Sequence, residues 1–158
     1  FTNYKLSDKA KSYITTSRYY LGGYNDYSPI TNEMYGYERG TLRYNTDKPL
    51  YWDGMVGLMY PSDYGYAAGN TCVTGTELYY YSGGCYQKDW LNISNPAQWL
   101  MSPHSGNSDY VHGVVNTGRV LYDGPIGRAF VVRPVFYLSS SASISDGEGT
   151  LNNPYLLS

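Results

Sequence analysis

The sequence predicts an α+β domain, and three observations carry that expectation. The one long helical pattern lies near the start of the chain, a Gly/Thr/Tyr-rich middle holds both cysteines, and the last third alternates apolar residues with tight turns. With 158 residues, no internal repeat and no linker-like composition, a single domain spanning 1–158 is expected.

The first element is a long helix. Ser7 and Asp8 form a cap and a first-turn anion, and Leu6, Ala10, Ile14 and Ser17/Arg18 follow at helical spacing. Tyr20-Leu21 closes it and Gly22-Gly23 supplies the stop. Residues 24–49 are polar and turn-rich, a long connection with at most a short strand over 40–44. A short buried strand is expected over 55–60, then a helix that opens at Pro61-Ser62-Asp63 and ends before Gly69-Asn70. The cysteine loop carries Leu78-Tyr79-Tyr80-Tyr81 and a Ser82-Gly83-Gly84 turn, and Asp89-Trp90-Leu91 and Gln98-Trp99-Leu100-Met101 flank Asn95-Pro96. Strands over 110–115 and 119–122 straddle Asn116-Thr117-Gly118, a hairpin signal. Residues 130–138 read as a strand kinked at Arg133-Pro134. A serine-rich passage and an Asp146–Gly149 turn then lead into a last short strand near Tyr155.

Charge excludes some partners. Charged residues make up 15% of the chain, the net charge is −2, and no Lys/Arg cluster occurs. A nucleic-acid or anionic-membrane partner therefore lacks its electrostatic footprint. No apolar stretch approaches the ~20 residues needed to cross a bilayer. No basic-apolar-small pattern opens the chain, as expected of a mature or excised ectodomain.

Cys72 and Cys85 lie 13 positions apart in the loop-like segment. The even count, the loop placement and the composition favour a disulfide, which would close a loop worth on the order of 3 kcal/mol and place the chain in an oxidising, extracellular setting. Two unpaired buried thiols are the alternative, and the spacing does not suit zinc. Tyrosine supplies 21 of the 27 aromatic residues. A core of this size cannot hide that many hydroxyls, so many rings should lie at the surface. Surface tyrosine with Gly, Ser and Asn suits adaptable binding loops, and equally a protease-resistant surface protein without a ligand.

Several motifs occur in series: Tyr20-Leu21-Gly22-Gly23, Tyr37-Glu38-Arg39-Gly40, the run from Val56 to Ala67, Asp89-Trp90-Leu91, Val132-Arg133-Pro134, and the closing Gly147-x-Gly149-Thr150 with Asn153-Pro154-Tyr155-x-Leu157. The series resembles a family of uncharacterised surface domains from Gram-positive gut bacteria, often found behind prepilin-like or membrane-anchoring segments. The similarity spans nearly the whole chain. More loosely, the chain is similar to formylglycine-generating enzymes and to retroelement variable proteins, which share a Gly-x-Arg-type strand near the C-terminus. The resemblance implies a C-type lectin-like fold and a cell-surface, extracellular location, but no activity.

Within that fold, Arg133 invites a fixed carboxylate, because an unpaired buried cation is very costly. Glu38 and Asp63, from the shared motifs, are the candidate partners; an Arg133 facing solvent beside Pro134 is the alternative. Ligand contacts in the lectin-like fold come from long loops and the exposed face of the meander. Here these are Trp52, Tyr79, Tyr80, Tyr81, His104, Asp109, Tyr110, His112, Arg119 and Tyr122, with Trp90 and Trp99 expected in the core.

No cofactor or metal is implied. The cysteines do not form the copper-binding pair of the formylglycine-generating relatives, and the calcium tripeptides of true C-type lectins are missing. Asp146-Gly147-Glu148 is more simply a solvated turn than a calcium loop. A His104–Asp109–serine arrangement can be drawn, but no nucleophile-elbow motif accompanies it. Asn92-Ile93-Ser94 has the form of a glycosylation sequon. The expectation is a non-catalytic binding or adhesion module for a glycan or protein ligand, without membrane contact of its own. The alternative is a structural subunit or tip domain that self-associates in a pilus-like filament.

Overall fold

The computed structural model describes residues 7–26, 29–68, 72, 75–81, 97–123 and 129–158. Among them are three short helices, α1 (Asp8–Ser12), α2 (Thr31–Glu38) and α3 (Pro61–Ala67), and a 3₁₀ turn (Leu78–Tyr80). Nine strands accompany them: β1 (Ser17–Tyr20), β2 (Tyr51–Gly54), β3 (Gly57–Leu58), β4 (Gln98–Pro103), β5 (Val111–Val114), β6 (Val120–Asp123), β7 (Pro134–Val135), β8 (Ile144–Asp146) and β9 (Leu156–Leu157). All named strands pair antiparallel, in β1–β2, β3–β7, β4–β5–β6 and β8–β9 sheets. Few helices and small antiparallel sheets fit the α+β class. No helix of the described residues is long and apolar enough to cross a membrane.

The expected first helix is cut short. Ser7 does cap it, its hydroxyl accepting from Ala10 N at 3.1 Å, but the helix ends at Ser12. The β-branched run Ile14-Thr15-Thr16 is stiff at χ1 and favours extended backbone. Ile14 instead bridges to Leu138, and Thr15 N donates to Tyr137 O at 3.0 Å. Ser17–Tyr20 is strand, in direct register with β2: Arg18 faces Asp53 and Tyr19 faces Trp52.

Gly22-Gly23 is not a helix stop either. A Cβ on Gly22 would overlap the carbonyl oxygens of Tyr37, Glu38 and Gly40, and one on Gly23 would overlap Pro103 O. The pair lets the chain thread between the end of α2 and the end of β4. Gly22 N donates there to Glu38 O at 3.0 Å.

Residues 24–49 are not all connection, because they contain α2. Its buried residues, Thr31, Met34 and Glu38, lie on one face at helical spacing, but two of the three are polar, so no apolar stripe marks the helix in sequence. The 40–44 strand does not form. The 55–60 strand shrinks to Gly57–Leu58, and α3 follows as expected with Pro61 in its first turn.

The hairpin prediction matches: β5 and β6 pair from Val111↔Asp123 to Val114↔Val120, around Gly118 at φ 88°. The turn before the last strand also forms between β8 and β9. The 130–138 strand does not run its length. Only Pro134–Val135 is strand, with Leu58 opposite Pro134, so proline sits in a two-stranded ladder that offers an open edge.

Arg133 is half-buried and donates through Nη1 to Gln98 Oε1. Its expected carboxylate partners have other roles, described below. Along β4, burial alternates so that Gln98, Leu100 and Ser102 face inward. Trp99 is therefore half-buried rather than core, its ring 4.4 Å from that of Phe130. The core gathers Met34, Tyr64, Leu78, Tyr81, Leu100, Val114 and Val120.

Cys72 is buried and is not a free thiol. Cys85, and with it the expected pairing, lies outside the described residues, as do the Ser82–Gly84 turn, Asp89-Trp90-Leu91, the Asn92 sequon and Asn95-Pro96.

Candidate functional site

A cavity of about 260 Å³ opens between the 43–49 loop and the rim of the β4–β5 hairpin. Short-range hydrogen bonds shape both walls. In the loop, Asn45 accepts from Asp47 N through Oδ1 at 2.8 Å and from Lys48 N through its carbonyl at 3.1 Å. Arg43 Nη1 donates to Lys48 O at 2.8 Å and clasps the loop shut. In the hairpin, Asn107 Oδ1 accepts from Asp109 N at 2.8 Å, and His104 N donates to Tyr110 O at 3.0 Å. Leu21, Met101, Pro103 and Val111 give the cavity an apolar floor. Arg43, Tyr44, Lys48, Asn107, Ser108 and Tyr110 supply its polar and aromatic lining.

The sequence-predicted residues separate into groups. His104, Tyr110, His112 and Tyr122 form one aromatic cluster. His104 lies 4.4 Å from Tyr122 and 5.8 Å from Tyr110 between ring centroids, and Tyr110 lies 5.4 Å from Tyr122. Only His104 and Tyr110 of this cluster reach the cavity. His112 is 1% exposed, so it supports the cluster from within rather than touching a ligand. Its Nδ1 lies 3.2 Å from Ser102 O, and burial pushes its pKa down to about 4, leaving it neutral near pH 7. Burial lowers His104 as well.

The His104–Asp109–serine arrangement does not assemble. His104 Nδ1 accepts from Gly106 N at 3.0 Å, while the exposed Asp109 accepts from its neighbour Ser108 Oγ at 3.2 Å. Asp109 lines no part of the cavity and serves the turn.

Tyr79, Tyr80 and Arg119 form a second group, with the Arg119 guanidinium 5.3 Å from the Tyr79 ring centroid. Tyr79 and Tyr80 line an open cleft of about 570 Å³ with Tyr24, Asp26, Glu33 and Glu77. Burial raises the Tyr24 hydroxyl pKa, and Tyr37 and those three carboxylates add to the shift. Tyr24 is bridged to His104, so the acidic cleft and the basic cavity share a wall. Tyr81 belongs to neither: it is 1% exposed, and its hydroxyl lies 3.1 Å from Thr31 Oγ1. Trp52 stands apart on the β1–β2 ribbon, 46% exposed, its ring centroid 5.6 Å from that of Tyr19.

Glu38 and Asp63 are structural, with partners other than Arg133. Both serve the start of α3: Tyr60 N donates to Asp63 Oδ2 at 3.1 Å, and Ser62 N to Glu38 Oε1 at 2.9 Å. Ser62 Oγ donates to Glu38 Oε2, and Arg39 Nη1 stands 3.3 Å from that same oxygen. Pro61 has no N–H, so these two carboxylates meet the donors on either side of it, at the positive end of the helix. Burial nonetheless pushes the Glu38 carboxyl up to about 7, against the lowering by Ser62 and Arg39. Arg39 lies 3.6 Å from the Tyr35 ring centroid, so its charge is also held by an aromatic face.

Sequence reasoning missed Arg43, Tyr44 and Lys48. The one available signal was a turn sequence, Asn45-Thr46-Asp47, flanked by two cations in a chain with only 11. Among the described residues, no three His, Cys, Asp or Glu side chains gather as a metal site would require. Comparison with family models, curated proteins and solved structures gives no match.

Proposed function

We propose that this chain is an extracellular, surface-displayed binding module of C-type lectin-like fold that recognises a glycan or protein ligand without catalysing a reaction. The observation that carries this reading is the cavity beside the β4–β5 hairpin, where an apolar floor meets exposed tyrosine, amide, hydroxyl and cationic groups. A concave, partly apolar site with a few converging polar groups is the usual form of a small-ligand site. The arrangement of short early helices and a β4–β5–β6 antiparallel meander supports the lectin-like reading. A sparse charge of mixed sign favours neither nucleic acid nor a membrane surface as partner. The test is a screen of the purified chain against glycans and extracellular proteins. Saturable binding to a defined ligand supports the reading, and binding to none of them in a folded, monomeric sample defeats it.

A second reading, a pilus-like structural subunit or tip, is favoured by a different surface. Tyr20, Tyr51 and Trp52 on the β1–β2 ribbon and Phe136, Tyr137 and Leu138 beside β7 are each between 39% and 46% exposed. Trp52 joins the residues beside β7 through Tyr19, whose ring lies 5.6 Å from Trp52 and 5.7 Å from Tyr137. Tyr20 and Tyr51, paired opposite each other, stand on the other face of the ribbon. Light scattering over a concentration series decides: reversible growth in mass supports assembly, and a constant monomer mass removes it for this chain alone.

A further inference from the structure

We infer that the cavity between the 43–49 loop and the β4–β5 hairpin takes an acidic sugar, its carboxylate held by Arg43 and Lys48 and its ring laid against tyrosine. The inference rests on the binding reading above and names the ligand class of the same site.

Charge points first to an anion. The chain is net negative, yet among the described residues lining this cavity both ionised ones are cations and none is a carboxylate. Among the described residues, neither Arg43 nor Lys48 stands in an ion pair. Arg43 spends Nη1 on the Lys48 carbonyl, which fixes the guanidinium while leaving its other donors to a ligand. A guanidinium held this way has already lost much of the freedom that binding would otherwise cost.

The rest of the lining selects the body attached to that anion. Phosphate sites are typically built from glycine-rich loops and helix N-termini that aim backbone N–H groups. Among the described residues, no glycine and no residue of a helix lines this cavity. Tyr44, 57% exposed, and Tyr110 instead bring aromatic rings to the lining, and Asn107 and Ser108 bring an amide and a hydroxyl. Flat apolar faces beside neutral donors and acceptors suit a sugar ring with its C–H face and hydroxyl rim. The volume of about 260 Å³ lies below the roughly 300 Å³ at which ligand pockets usually begin, which limits the occupant to a single sugar residue. That residue is either a free acid or the terminal unit of a glycan.

The test is an NMR titration of the whole isotope-labelled chain with glucuronic acid, N-acetylneuraminic acid, glucose and inorganic phosphate. Weak saturable binding of an acidic sugar is expected, with shifts at Tyr44, Asn107 and Tyr110. Glucose and phosphate should be much weaker. The Lys48→Gln variant should weaken acid-sugar binding by about tenfold, the loss expected of one charge-assisted contact. It keeps the Lys48 carbonyl that clasps Arg43, so the loop stays closed. Trp52→Ala should bind as the parent does. Tighter binding of a glycan ending in the same sugar than of the free acid would assign the terminal unit as the ligand, and equal affinity would assign the acid itself.

Equal binding of glucose, equal binding of phosphate, no saturation by any acidic sugar, or indifference to Lys48→Gln would each overturn the inference. If the chain binds a neutral glycan or a protein in a way that Lys48→Gln does not alter, the inference falls while the binding reading stands. If it binds nothing and self-associates, both fall.

Discussion

Glu38 is a carboxylate with no exposed surface, held by Ser62 and Arg39, with its pKa raised to about 7. The fold holds its proton more tightly than the unfolded chain does. Its contribution to stability is therefore complete below about pH 4.5 and is lost as the pH rises through about 7. His112, lowered to about 4, runs the other way: its contribution is complete above pH 6.5 and is lost as the pH falls through about 4. Between those limits the two slopes oppose each other, each worth about 1.4 kcal/mol per pH unit. Glu38→Gln removes the first, so the variant should gain stability more steeply than the parent between pH 4.5 and 6.5. Thermal melts in that window check this, and parallel slopes would contradict it.

Tyr64 tests the buried hydroxyls in the same way. Its hydroxyl donates to the Gly118 carbonyl at 2.8 Å from a side chain 4% exposed. Tyr64→Phe leaves that carbonyl without this donor and should cost about 1–2 kcal/mol in denaturant unfolding. Tyr60 and Tyr19 use the same device, donating to Tyr20 O at 3.0 Å and Val135 O at 3.3 Å. A small core can thus hold several tyrosines when backbone carbonyls receive their hydroxyls. Among the described residues, eight tyrosine rings are still exposed.

At the level of elements, legibility followed local signals. The hairpin at Asn116-Thr117-Gly118, the proline-led α3 and the Asp146–Gly149 turn are short-range features whose residues specify their own backbone. α2 was hidden because its inward face carries Thr31 and Glu38, whose burial depends on Tyr81 and Ser62 far away in sequence. The first helix was overextended because its apolar spacing continued past Ser12, whereas Ile14 and Tyr19 turn to partners at Leu138 and Val135. Arg133 was expected to meet a carboxylate, Glu38 or Asp63, whereas a neutral partner, Gln98, is among the contacts it makes.

The passage of the chain from β1 past the end of α2 rests on Gly22, where any side chain meets the carbonyls of Tyr37, Glu38 and Gly40. Gly22→Ala should destabilise the chain by about 1–3 kcal/mol, the usual range for overpacking. Because Leu21 leads directly into the cavity floor, it should also loosen the 43–49 loop. Hydrogen exchange at Leu21 N, bonded to Leu50 O at 2.8 Å, reads that loosening directly. Unchanged protection there would separate the glycine from the site.

Across the whole molecule, the candidate site was legible only in part. Tyr110 and His104 were named from sequence and do line the cavity, and Tyr79, Tyr80 and Arg119 do converge. His112 and Tyr81 carry the same residue chemistry but face inward, a distinction set by the tertiary placement of β5 and the 3₁₀ turn. Arg43 and Lys48 escaped notice because nothing local shows that the 43–49 loop folds onto the β4–β5 rim. The described residues thus present the basic cavity, the acidic cleft at Tyr79–Tyr80, and the exposed aromatic residues of the β1–β2 ribbon. Assembly through the ribbon would need well over ~1,000 Å² of buried surface to be stable. If the ribbon mediates it, Trp52→Ala should reduce any self-association seen by light scattering and leave ligand binding intact.

The most direct measurement compares ligand binding by the parent chain, Tyr44→Ala and Trp52→Ala, with the ligand taken from a glycan and extracellular-protein screen. Both substituted side chains are exposed, so neither change should unfold the chain. The cavity account predicts that Tyr44→Ala loses binding and Trp52→Ala keeps it. Loss in Trp52→Ala with full binding in Tyr44→Ala would move recognition to the ribbon and contradict the account.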